Sequence, residues 1–304
     1  MAQQGATGPM SFASDIDPPA GFARSAESLY SRSFVSGVAQ RVSLPLILGL
    51  TIAGFIFYSQ ATAPSVGRLA VFGGIFAAGA VSGISGLAFP LIAGPIFLLI
   101  YTAPEAVALT AMCSLTGQLF SIALLRRAIA YEFRVPLIAA GLLGAPLGSA
   151  LLCSFNPHCV RVVLGVLIVV SGLWRALRAQ VGATRTPSLL SEVLVGLTGG
   201  MTGGLVGASS VVPAIWCAAC GFDKSRQRAV TQPYILAMQA ASLVSLWAWG
   251  ALDRDIVGHY ADFLLPVLVG IGLGVAGFRG LSSDAATRVV MGAVTASGLS
   301  LLFS

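Results

Sequence analysis

Long charge-free runs separated by short charged breaks make up most of this chain. No charged residue falls within 42–67, 69–104, 106–125, 135–160, 162–174, 193–222, 229–252, 263–278 or 289–304. An α-helix rises 1.5 Å per residue, so about twenty apolar residues cross a bilayer, and most of these runs predict one spanning helix each. Two runs are too long for a single span. The run 69–104 is interrupted by Gly83-Ile84-Ser85-Gly86 and Pro90, and the run 193–222 by Gly199-Gly200, Gly203-Gly204, Gly207 and Pro213. Glycine clusters and proline break helices, so each of these runs predicts two short helices around a non-helical break.

The pattern predicts an all-α polytopic membrane protein with eleven apolar elements, grouped as one, then five, then five. Residues 1–41 are polar, rich in small residues, and read as a cytoplasmic tail. Residues 42–67 form an N-terminal transmembrane helix, 68–178 a first membrane repeat, 179–191 a cytoplasmic linker and 192–304 a second repeat. No signal-peptide pattern, a short apolar stretch followed by a small-residue cleavage site, occurs near the start.

The two groups of five resemble each other. Gly83-Ile84-Ser85-Gly86 aligns with Gly204-Leu205-Val206-Gly207 at an offset of 121, which also places Thr110 on Thr231, Gln118 on Gln239 and Ser121 on Ser242. Further on, Arg161-Val162-Val163-Leu164-Gly165 matches Arg288-Val289-Val290-Met291-Gly292. An odd number of elements per unit makes the second unit enter the membrane from the opposite side. That is the inverted repeat of many secondary transporters, here with a broken helix opening each unit.

Composition agrees. The chain has 304 residues, 56% hydrophobic and 9% charged, with a mean hydropathy of +0.89, far from the roughly 25% charged residues of a soluble domain. The formal charge of +6 is a topology signal rather than an affinity for nucleic acid. With the N-terminus inside, the cytoplasmic segments hold Arg24, Arg32, Arg41, Arg126, Arg127, Arg134, Arg175, Arg178, Arg185, Lys224, Arg226, Arg228, Arg279 and Arg288. The outside keeps Arg68, Arg161 and Arg254, the last in an acidic stretch with Asp253, Asp255, His259 and Asp262. That asymmetry orients the chain in the inner membrane with its C-terminus periplasmic.

Polar residues inside the apolar runs are few and fall at matched positions. Candidate substrate-binding residues are Gly83, Ser85, Gly86, Thr110, Ser114 and Gln118 in the first unit, and Gly203, Gly204, Gly207, Ser209, Thr231, Tyr234 and Gln239 in the second. Broken helices expose backbone amides with a partial positive charge, which suits an anion. No base stands in the middle of an apolar run, so dipoles and hydroxyls are expected to hold it. Small residues also serve helix packing, which leaves open a scaffold or partner subunit that transports nothing, or a channel-like anion pore. Glu105, Glu192 and Asp223, nearest the breaks, read as solvated or capping groups.

No catalytic, metal or cofactor site is expected. Both histidines, His158 and His259, read as outside-loop residues, which disfavours Ser-His chemistry within the membrane. No Gly-x-x-x-x-Gly-Lys-Ser/Thr phosphate loop is present. Cys217 and Cys220 have Cys-x-x-Cys spacing but no His near them, so packing is the expected role, as it is for Cys113. Cys153 and Cys159 flank a short outside loop, where free thiols are expected and a disulfide is the less favoured alternative.

The Gly-rich segments Val81-Ser82-Gly83-Ile84-Ser85-Gly86 and 199–207, with the following 106–118 and 229–239 segments, resemble the sulfite exporter TauE/SafE family of membrane permeases over about residues 69–304. The resemblance implies an inner-membrane transporter that exports small sulfur-containing anions such as sulfite, sulfoacetate, other organosulfonates or thiosulfate. Its partners would be that solute and the lipid bilayer, with homo-oligomers open.

Overall fold

The computed structural model describes residues 64–125, 129–178, 187–252 and 255–278. The expected N-terminal tail, most of the 42–67 helix, the 179–186 part of the linker and the final element with its Arg288 motif lie outside the described residues. Among those described, nine helices and no strands occur: α1 (Pro64–Ser85), α2 (Phe89–Leu98), α3 (Ala103–Leu125), α4 (Val135–Ser154), α5 (Pro157–Arg178), α6 (Leu189–Val206), α7 (Val211–Ala219), α8 (Lys224–Ala248) and α9 (Asp255–Phe278). Five of them are long and apolar enough to cross a membrane, within α1, α3, α4, α6 and α9. Large apolar side chains such as Leu143 and Leu265 point outward, 70% and 71% exposed, and suit contact with lipid.

Local chemistry sets the helix ends. Ser188 caps α6 in a reciprocal arrangement with Ser191, and the Asp223 carboxylate accepts from the Arg226 amide at the start of α8, each pairing amides that a helix leaves open. Glu105 accepts from the backbone amide and the hydroxyl of Thr102 at the start of α3, the capping role expected of it. Proline occupies the first turn of α2 and of α4, where its missing N–H costs nothing.

Three pairings organise the bundle. Along α1, Gly79 faces the Val267 carbonyl and Ile271 amide of α9, and Gly83 faces the Ile271 carbonyl and Gly274. Residue numbers rise together, so α1 and α9 run in the same sense at backbone-to-backbone distance. The same holds for α4 and α6: Gly144 faces Leu197 and Met201, while Gly148 faces Met201 and Leu205. Helices α3 and α8 instead cross in opposite senses, since Gln118 meets Gln232 and Ser121 meets Arg228.

Several boundaries differ from the charge-based expectation. The breaks are narrower than the glycine clusters, covering only 86–88 and 207–210. Gly83, Gly199, Gly200, Gly203 and Gly204 lie inside helices, and most of these glycines serve close helix approach. Arg161 stands in the second turn of α5 and donates to the Leu98 carbonyl, and His259 and Asp262 belong to α9 rather than to a loop. A charged residue ends an apolar run but not a helix, because near a membrane boundary a helix continues into water. Cys153 and Cys159 are exposed free thiols.

Candidate functional site

The two breaks meet. Gly86 ends α1 with φ 79° and Gly207 ends α6 with φ 74°, the left-handed conformation that glycine adopts without strain at a helix end. The Ser210 hydroxyl, in the second break, donates to the Leu87 carbonyl of the first at 2.9 Å. Each break also packs on the long helix that follows the other break. A Cβ at Gly86 would lie 3.0 Å from Arg228 Nε of α8, and one at Gly207 would lie 3.0 Å from the Thr110 methyl of α3.

The matched residues behave alike. Gln118 Nε2 donates to the Gly86 carbonyl at 2.8 Å, and Gln239 Nε2 to the Gly207 carbonyl at 3.2 Å. The Thr110 hydroxyl donates to the Ala106 carbonyl and the Thr231 hydroxyl to that of Gln227, each four residues back on its own helix. Each threonine hydroxyl thus spends its donor on its own helix, and Thr110 turns its methyl toward Gly207. Ser85 Oγ accepts from the amides of Leu87 and Ala88, so two amides of the first break are already paired. Ser114 and Ser209 are buried, and their hydroxyls make no hydrogen bond among the described residues.

The other candidates lie at packing contacts, all but Gly203 between helices. Gly83 faces α9, Gly203 faces Ser209, and Gly204 faces the Ala145 carbonyl of α4. Tyr234 is fully buried, and its hydroxyl donates to the Gly196 carbonyl at 2.7 Å, which ties α8 to α6 away from the crossing.

A buried base was missed. Arg228 belongs to the first turns of α8, is 2% exposed, and donates to the carbonyls of Gly83 and Ile84 and to Ser121 Oγ at 2.7 Å. The middle of each apolar run is free of bases, but Arg228, read as part of a cytoplasmic segment, is a buried helical residue, because α8 begins at Lys224, five residues ahead of the charge-free run. Gln232 extends the network by donating to Gln118 Oε1 and Ser121 Oγ and accepting from the Tyr131 hydroxyl. Tyr131 lies in the segment between α3 and α4. Burial raises its pKa while the Arg228 charge pulls the other way, so the phenol stays protonated and donates.

A charged layer adjoins this network. Glu132 pairs with Arg226 at 3.0 Å and with Arg134 at 3.4 Å, and Arg134 pairs with Glu192 of α6. The Arg134 guanidinium lies 5.7 Å from the Trp216 ring centroid and 5.4 Å from that of Phe222, and Arg226 lies 4.3 Å from Phe222. Glu192 is thus a buried ion-pair partner rather than a solvated or capping group. Arg134→Met should destabilise the fold, by less than the roughly 3–5 kcal/mol of a fully buried pair because the arginine keeps 19% exposure. The check is a thermal melt in which Arg134→Met/Glu192→Gln recovers part of the loss. An unchanged melting temperature in the single variant counts against the pair.

Among the described residues no group of three or more His, Cys, Asp or Glu could hold a metal ion. In comparison with known proteins, the family model described as Sulfite exporter TauE/SafE matches residues 71–301. No curated protein and no solved structure matches the chain.

Proposed function

Because the chain belongs to the sulfite exporter TauE/SafE family of membrane transporters, we propose that it carries sulfite or another small sulfur-containing anion, such as sulfoacetate, another organosulfonate or thiosulfate, out of the cell by alternating access. The observation that carries this reading is the placement of Arg228: a nearly inaccessible guanidinium between the first helix break and the α3–α8 crossing. Taking a guanidinium out of water is costly, and an ionisable residue buried against membrane-spanning helices, as Arg228 of α8 is against α1 and α3, is a functional-site candidate by default. Guanidinium is also the side chain best matched to an oxyanion.

The proposed site lies where the breaks meet. Arg228 supplies charge, Ser114 and Ser209 supply unpaired hydroxyls, and Gln118 and Gln239 brace the carbonyls of Gly86 and Gly207. The packing senses of the first four helices of each unit (α1–α4 and α6–α9) support two inverted units, the first of which also includes α5. In such units first and fourth helices from opposite units run in parallel and third helices run antiparallel, as α1 with α9, α4 with α6, and α3 with α8 do. Alternating access would be a rocking of one unit against the other about this crossing. The Arg134–Glu192 layer, on the cytoplasmic side by the charge rule, joins the two units there.

The test is uptake of labelled sulfite, thiosulfate and sulfoacetate into proteoliposomes of the purified chain. Saturable uptake of one of them with counterflow is expected, reduced about ten-fold or more in Gln118→Leu, which removes the hydrogen bonds of Gln118 to the Gly86 carbonyl and from Gln232. Absence of uptake of all three by a monodisperse protein would set the sulfur-anion reading aside, and flux without counterflow would indicate a pore.

A further inference from the structure

The two halves of the α3–α8 crossing hold the same acceptors but different donors. In the first half, Gln118 Oε1 and Ser121 Oγ accept from Gln232, and Ser121 and the carbonyls of Gly83 and Ile84 accept from Arg228. The α1 end is therefore a cation site already filled by a side chain. At the offset of 121 that relates the halves, Gln239 corresponds to Gln118, Ser242 to Ser121, and the backbone of Gly204 and Leu205 to that of Gly83 and Ile84. The positions that correspond to Arg228 and Gln232 are Val107 and Ala111.

Two further observations point to a ligand. Gln239 and Ser242 are fully buried, and Gln239 Oε1 and Ser242 Oγ make no hydrogen bond among the described residues. The orientation of the Gln239 amide follows from chemistry: the Gly207 carbonyl can only accept, so the NH2 faces it and the oxygen is turned away. Val107 is in place beside this break, its carbonyl 4.0 Å from a Cβ at Gly207.

We propose that the second half binds a small monovalent cation, sodium, at Gln239 Oε1 and Ser242 Oγ beside the end of α6, in the place that corresponds to the Arg228 guanidinium beside the end of α1. Neutral oxygens near a half-helix C-terminus suit a monovalent ion, whereas calcium and magnesium favour carboxylate ligands. This rests on the transporter reading, in which sodium would be the coupling ion and Arg228 its fixed counterpart.

The test separates the two. Binding of radioactive sodium to the purified full-length chain is measured against a choline background, and sulfite uptake is measured separately in proteoliposomes with and without a sodium gradient. Saturable sodium binding is expected, weakened at least ten-fold in Ser242→Ala and abolished in Val107→Arg, which supplies a guanidinium of its own. Ser242→Thr, which keeps the hydroxyl, should retain it. Wild-type protein that binds no sodium above background, or Ser242→Ala that binds it as tightly as wild type, overturns the proposal even if sulfite is carried. Sodium binding that follows the expected variant pattern in a protein that moves none of the sulfur anions supports the cation site and overturns the anion assignment alone.

Discussion

Arg228→Met is expected to abolish anion uptake while leaving a folded protein. The side chain is 2% exposed and its donors reach the carbonyls of Gly83 and Ile84 and the Ser121 hydroxyl. Two effects of substitution on stability oppose each other. Acceptors left without a donor cost about 1–3 kcal/mol each, and Ser121 retains a donor in Gln232. Against that, a buried guanidinium itself carries a desolvation penalty of several kcal/mol, which methionine removes while keeping much of the volume. The net change in melting temperature should therefore be modest and of either sign.

Transport has no such compensation. Without the guanidinium the oxyanion of the proposed site loses its counter-charge, and a loss equal to that of one or two charge-assisted hydrogen bonds lowers affinity about 100-fold. Arg228→Lys should recover a fraction, because the charge stays but an ammonium cannot reproduce the planar fork. The measurement is initial uptake rate against concentration, with elution profile and thermal melt as folding controls. A monodisperse Arg228→Met protein that carries the anion at the wild-type rate would remove Arg228 from the pathway.

Why that residue escaped a reading of the sequence is physical. Lys224, Arg226 and Arg228 cluster at the head of an apolar run, and the positive-inside rule treats such clusters as loop charges. The corrective signal was present. Asp223 is a helix-capping residue type that places the start of α8 at Lys224, and from there Arg228, Gln232, Gln239 and Ser242 fall on one helical face with spacings of four, seven and three. The matched polar pairs, by contrast, were legible because the same residue types recur at an offset of 121 and carry the same constraint twice. Gln118 and Gln239 perform the same bond, and so do Thr110 and Thr231.

The breaks were legible as regions but not as positions. Two different demands select glycine: a left-handed helix end, and a helix flank that touches another backbone. Gly86 and Gly207 meet the first demand; Gly83 and Gly204 meet the second. Both read as the same letter in one sequence, and only the partner helix, distant along the chain, tells them apart. The same ambiguity hid the roles of Tyr234 and Glu192, whose partners Gly196 and Arg134 lie 38 and 58 residues away.

Glycine substitutions at the flanks should therefore differ in sign according to what the new methyl meets. At Gly148 of α4 a Cβ would overlap the Met201 carbonyl and sit 2.9 Å from the Leu205 amide. Both are backbone atoms of α6, and no side-chain rotation relieves the clash. Helices α4 and α6 must part along a shared row that also includes Gly144, Gly196, Gly200 and Gly204. Overpacking of this kind costs at least about 1–3 kcal/mol, and separating the helices loses dispersion contacts on both sides of the substitution. At Gly73 of α1, a Cβ meets nothing within 4 Å, so alanine there should stabilise by roughly 0.5–1 kcal/mol through its higher helix propensity. Thermal unfolding of the two purified variants in one detergent is the measurement: Gly148→Ala should melt well below wild type or fail to elute as a single species, and Gly73→Ala should melt at or above it. If both variants melt with wild type, the α4–α6 row is not held at backbone distance.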